Sequence, residues 1–161
     1  MAIQTGFLTL MLLAAPAAVQ VGLSPADQAA AFKAAGFRKQ GTRWQACGDP
    51  GSASYTPGAI ETVRDLNGDG LPEAVITEGS IACFGGDEMG YSIVSKQADR
   101  SWKPITNGTG IVTILETKGV AGWPDIEIGG QGFCFPVQRW NGKAYVLQRH
   151  QYEGKPCRPG R

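Results

Sequence analysis

The segment DLNGDGLPE, Asp65 to Glu73, puts oxygen-bearing side chains at alternate positions, with glycines between and after them and a carboxylate at its end. Asp65, Asn67 and Asp69 stand first, third and fifth, Leu71 can offer its backbone carbonyl at the seventh place, and Glu73 falls at the ninth. Calcium takes several hard oxygen ligands, and a loop supplies them when alternate residues point inward and glycine lets the chain turn tightly. An EF-hand would need a bidentate Glu at the twelfth place, which here is Ile76, and a helix on each side. The flanks Ile60–Val63 and Ala74–Thr77 instead read as strands, so the loop closes a hairpin. The simplest alternative is a set of Asx-turns without an ion. Acidic groups this close repel one another, which favours a cation with a structural role. Water-activating catalysis would require an open coordination position beside a cleft, and no motif here supplies one.

These residues resemble the calcium loops of FG-GAP repeats, whose pattern Asp-x-Asn-x-Asp-Gly-x-x-Asp also joins two strands. The resemblance implies that Asp65, Asn67, Asp69 and Glu73 act as side-chain ligands and Leu71 as a carbonyl ligand, with Glu73 in place of the more usual Asp. It covers little more than the hairpin. More broadly, the segments Gly-Trp-Pro-Asp-Ile (122–126) and Gly-Phe-Cys-Phe-Pro-Val (132–137) resemble those of small exported bacterial proteins of unknown function, which implies a location and no activity.

Other chemistry finds little support. The single histidine, His150, has no G-x-S-x-G elbow to accompany it, and Ser52, Ser54 and Ser80 lie in Gly-rich turns. Glu78, Asp87, Glu88, Asp125 and Glu127 could supply a glycosidase pair, yet none is singled out by spacing. Phosphate-cradling and dinucleotide fingerprints are absent from the sequence. Among the aromatics, which in a small β domain pack mostly in the core, Trp123, Trp140 and Tyr91 form a candidate binding face.

The elements that must position this loop follow a leader. Residues 1–20 carry no charge, and an apolar run from Phe7 to Leu13 breaks at Pro16 among small alanines. This is the pattern of a secretory signal peptide cleaved between Ala17 and Val21, and the run is shorter than the roughly 20 apolar residues of a membrane span. Residues 21–161 then form a single domain, with no membrane anchor after cleavage and a periplasmic or secreted location. The four cysteines, Cys47, Cys83, Cys134 and Cys157, all lie in this exported part and form no C-x-x-C pair, so two disulfides are expected rather than zinc. Three connectivities are open. Cys83–Cys134 with Cys47–Cys157 is the favoured one, because the first pair lies in β-like, Gly-flanked segments and the second would tie the early region to the tail. A formal net charge of +1, with the charges interspersed, argues against a nucleic-acid partner.

Ser24 as N-cap, Pro25 at the first helical position and Gly36 at the end predict one short helix, with Phe32, Ala29 and Ala35 on its apolar face. Strands are predicted over 42–46, 59–64, 73–78, 91–96, 102–105, 111–116, 125–128, 133–140 and 144–149, each bounded by turn residues. Asn141-Gly142 predicts a type I′ hairpin turn, and Gln97–Ser101 a second hairpin. The expected fold is mainly β: a compact antiparallel, barrel-like domain with one N-terminal helix and two disulfides. A faint echo links Leu71-Pro72-Glu73-Ala74-Val75-Ile76 with Trp123-Pro124-Asp125-Ile126-Glu127-Ile128, although the chain is too short for a closed propeller.

The resulting reading is an exported, non-enzymatic module with a calcium-stabilised hairpin, recognising an envelope protein or glycan. The alternatives are an inhibitor or immunity protein that plugs a cell-wall hydrolase with the loop Cys83–Tyr91, and a carboxylate-based glycan hydrolase.

Overall fold

The computed structural model describes residues 22–160. The predicted leader, residues 1–20, lies outside the described residues. The chain opens with α1 (Pro25–Ala34), followed by the ribbon β1 (Arg38–Gln40) and β2 (Arg43–Gln45). A four-stranded meander follows: β3 (Thr56–Arg64), β4 (Glu73–Gly79), β5 (Met89–Lys96) and β6 (Trp102–Thr109), with a one-turn helix α2 (Ile81–Phe84) between β4 and β5. Past Gly110 the chain enters a second antiparallel sheet, β7 (Ile111–Lys118), β8 (Pro124–Gly129), β9 (Phe135–Trp140), β10 (Tyr145–Tyr152) and the short β11 (Lys155–Pro156). The mainly-β antiparallel expectation holds, and the predicted strands all form. The barrel-like closure does not: the two meanders remain separate open sheets that share a core.

α1 begins as its residues dictate. Ser24 Oγ accepts from the Asp27 N–H at 3.1 Å, and Pro25 fills the first turn, where its missing N–H costs nothing. Asp27 also ties the helix to the first sheet, pairing with Lys96 Nζ at 2.8 Å and accepting from Trp102 Nε1 at 3.3 Å. Ala31 and Phe32 are its buried residues; Phe32 stacks on Trp44 at 4.8 Å and meets Phe37 edge-on at 5.5 Å. These side chains pack against Ala74, Ile76, Val94 and Trp102, which form the helix-facing side of the first sheet.

The strand alternation turns Val75, Tyr91 and Ile93 to the opposite side, where they meet Trp123, Ile126, Val112, Ile114, Trp140 and Tyr145 of the second half. The central strands β4 and β5 are therefore buried on both faces, which explains the unbroken burial of β5 from Gly90 to Ser95. The faint sequence echo has a structural counterpart. Pro72-Glu73 and Pro124-Asp125 each open the second strand of a meander, and both acids are fully buried.

Two local expectations are corrected. The Asn141-Gly142 turn is not a two-residue type I′ turn, because Tyr145 pairs with Trp140 and leaves a four-residue loop. Asn141 Oδ1 there accepts the N–H groups of Lys143 and Ala144, and of Asn141 and Gly142 only Gly142 has a positive φ. The disulfides join Cys47 to Cys83 and Cys134 to Cys157, not Cys83 to Cys134 and Cys47 to Cys157. The sheets decide this. Glu78 at the end of β4 accepts from the Cys47 N–H at 3.0 Å and so draws Cys47 toward α2, which carries Cys83. The Cys157 N–H donates to the His150 carbonyl at 3.2 Å, folding the tail back on β10 beside the start of β9.

Candidate functional site

The Asp65–Glu73 loop joins β3 to β4 as a hairpin end. Its polar side chains are cross-braced to the backbone. Asp65 accepts from the N–H of Gly68 at 2.7 Å and of Gly70 at 2.9 Å, Asn67 Oδ1 from Asp69 N–H at 2.8 Å, and Asp69 Oδ1 from Leu71 N–H at 2.8 Å. Asn67 Nδ2 also donates to Asp69 Oδ2 at 3.0 Å. These are Asx-turns, and each oxygen that takes one N–H keeps a further lone pair. The donor set is all oxygen, as a hard cation requires.

Glu73 occupies a different setting from its neighbours. It is fully buried, accepting from the Leu66 N–H at 2.7 Å and from Ser95 Oγ at 2.7 Å. Burial pushes its carboxyl above the ordinary value; the two hydrogen bonds oppose this, and the nearby Asp69 and Asp65 carboxyls add to the rise. No ion pair reaches Asp65, Asp69 or Glu73 among the described residues. Nor do three His, Cys, Asp or Glu side chains gather there into a metal-holding group among those residues. Asp65 and Asp69 are thus the exposed part of the candidate set, Asn67 is half-buried, and Glu73 is turned to its base.

The loop is clamped between the two sheets. Leu66 is buried in the shared core with Trp123. Gly122, at φ +76, lies against the Asn67 carbonyl, where a Cβ would come within 2.3 Å of the oxygen. The turn 120–122 that leads into β8 therefore sits on the loop that closes β3 to β4.

Of the candidate binding face, the structure buries Tyr91 and Trp123 and leaves Trp140 half-buried. Tyr91 and Trp123 are buried in the inter-sheet core, and Trp140 packs on Trp123 at 5.6 Å and on Tyr145 at 5.4 Å. Large aromatics on the inward side of facing sheets bury more apolar area than they could on a surface. Among the described residues the exposed aromatics are instead Phe133, 76% exposed, and Tyr152, which meet edge-on at 5.7 Å beside the Cys134–Cys157 bridge.

Of the carboxylates considered for hydrolysis, Glu78, Asp87, Asp125 and Glu127 are engaged elsewhere, and Glu88 is exposed. Asp125, fully buried, receives a fork from Arg139 at 2.8 and 2.9 Å, Arg149 at 3.0 Å and the Thr117 hydroxyl at 2.6 Å. The Arg139 hydrogen bonds hold its carboxyl well below the usual carboxylate range, against the opposing effect of burial. Glu127 accepts from Gln151 Nε2 at 2.7 Å, and Gln151 in turn accepts from Arg149. Asp87 accepts from the Gln131 N–H at 3.2 Å, which helps hold the loop after Cys83. Glu78 accepts from the N–H groups of Ala46 and Cys47 and from the Tyr55 hydroxyl, whose pKa is pushed up to about 12 by burial and by Glu78. Asp49 accepts a hydrogen bond from the Ser80 hydroxyl, the chief cause of its pKa falling to about 2.

Sequence reasoning missed the Asp125 and Glu78 clusters as structural centres. The Pro-acid echo at 72–73 and 124–125 was the one available signal for the first; for the second, the contacting residues are scattered from Ala46 to Glu78.

Comparison with protein-family models, with curated proteins and with solved structures found no match. No helix among the described residues is long and apolar enough to cross a membrane. The two disulfides are compatible with an exported chain.

Proposed function

We propose that this chain is an exported, non-enzymatic binding module whose Asp65–Glu73 loop holds a structural calcium ion. The observation that supports the proposal is the run of alternate side-chain oxygens of Asp65, Asn67 and Asp69 on one hairpin end, its carboxylates without an ion-pair partner among the described residues, in a loop clamped between the two sheets. Asp65, Asn67 and Asp69 would hold the ion with their side-chain oxygens and Leu71 with its carbonyl, as in the FG-GAP-type loops they resemble. Glu73 would complete the set or orient the loop from behind. Bound calcium would supply the charge that these carboxylates lack. The partner is an envelope protein or glycan, a reading that follows from the predicted export.

The test is the thermal midpoint of the purified, disulfide-intact protein with calcium, magnesium or chelator, beside an Asp65→Ala/Asp69→Ala variant. A calcium-specific rise that the variant loses is expected, with a dissociation constant in the range of about 0.1–1 mM typical of extracellular modules. No shift at calcium well above that range would reduce the loop to a set of Asx-turns.

A second reading, an inhibitor of a cell-wall hydrolase, draws on the loop after Cys83. It is largely exposed and is tethered both by the Cys47 bridge and by Gln131, whose Nε2 donates to the Gly86 carbonyl at 3.2 Å. Failure to slow any of a panel of such hydrolases would remove this reading.

A further inference from the structure

A cleft of about 270 Å³ opens on the helix-facing side of the first sheet, away from the calcium loop. The strand register builds its floor. Glu78 pairs with Gly90 and Gly90 with Thr109 in one rung, and Ser92 pairs with Asn107 in the next, so these side chains share the face that looks toward α1. Phe37 follows α1, and Phe84 from α2 lines the cleft as well. Gly90 lets the Phe84 ring lie directly on the sheet as one wall, since a Cβ there would fall 2.4 Å from that ring.

Two features of this cleft bear on the kind of ligand it would take. Glu78 is only 2% exposed, and its carboxylate is met by neutral donors alone, the N–H groups of Ala46 and Cys47 and the hydroxyl of Tyr55. No Lys, Arg or His among the described residues pairs with it, although Arg43 lies near enough to act on Tyr55. Ser92 is 9% exposed, and its side chain takes part in none of the hydrogen bonds made among the described residues. A carboxylate countered only by dipoles projects negative potential into the cleft, which attracts a positive ligand. Aromatic rings at the walls favour the same ligand.

We propose that this cleft binds a small organic cation, an aromatic or short aliphatic amine. Its ammonium group lies toward Glu78, with Ser92 as a hydrogen-bond acceptor, and its apolar body rests against Phe37 and Phe84. The volume limits the ligand to a single ring with a short arm, since a 150 Å³ cavity already admits benzene. The site is independent of calcium.

The test uses three closely related probes, phenethylamine, 2-phenylethanol and phenylacetate, titrated into isotopically labelled, disulfide-intact protein and followed by amide chemical shifts. Phenethylamine is expected to shift residues 90–92 and 107–109 saturably, the alcohol to bind about tenfold more weakly, as the loss of one desolvated cation contact implies, and the acid not to bind. Asn107→Trp, on the exposed rim, is expected to fill the cleft and abolish the shifts, and Glu78→Gln to erase the preference for amine over alcohol. If Glu78→Gln does not fold, the probe series on the native protein and the Asn107→Trp variant decide the matter. Absence of saturable amine binding, equal binding of all three probes, or binding that survives Asn107→Trp would overturn the proposal.

Discussion

Gly122 rests on the backbone carbonyl of Asn67, so the turn that starts the second strand of one sheet supports the loop that starts the second strand of the other. Both the approach and the backbone conformation demand glycine, because φ is +76 and a Cβ would lie 2.3 Å from the oxygen. Gly122→Ala is therefore expected to destabilise the protein by about 1–3 kcal/mol through overpacking and backbone strain. Urea unfolding measures this directly, and a change below about 0.5 kcal/mol would contradict the contact. Because Trp123 is the adjacent residue and shares its core with Leu66, its fluorescence should change when the loop is disturbed.

Glu73 should make the stability of the calcium-free protein fall as pH rises. Its folded pKa is raised by burial. Between the free value of about 4.3 and the higher folded value, the native state keeps a proton that the unfolded chain has released, so stability declines through that interval. Chelator-treated protein followed by urea unfolding from pH 4 to 8 should show the decline, and Glu73→Gln should flatten it. A cation at the loop would favour the ionised carboxyl, so calcium should flatten it too.

Asp125 has the opposite sign. Arg139, assisted by Thr117 and Arg149, holds its folded pKa below the free value. Its contribution is complete above about pH 3.9 and is lost as pH falls from there toward the folded value. Asp125→Asn should cost about 2–3 kcal/mol at pH 7. That is less than for a fully enclosed pair, because the side chains of Arg139 and Arg149 are 35% and 31% exposed. It should also weaken the acid limb of the stability profile. An unchanged midpoint at pH 7 would show that Arg139 and Arg149 are equally content with water.

Peptide mapping without reduction should recover Cys47 with Cys83 and Cys134 with Cys157. The loops they close span separations of 36 and 23 residues, so removing either bridge should cost about 3–4 kcal/mol by the chain-entropy estimate. A peptide joining Cys83 to Cys134 would place α2 against the second sheet and contradict the described topology.

The sequence by itself determined what depends on near neighbours. Ser24, Pro25 and Gly36 bound α1, short runs between turn residues located the strands, and alternate oxygens with glycines marked the Asp65–Glu73 loop, because capping and turn chemistry act over a few residues. Only the tertiary structure decided what depends on which sheet a strand joins. It paired Cys47 with Cys83, buried Tyr91 and Trp123 between sheets, turned Glu73 inward to Ser95, and set two arginines on Asp125. Alternation gives each strand two faces and does not say which one meets another layer. In this chain the first sheet is covered on both, by α1 and by the second meander, so side chains that read as surface candidates became core.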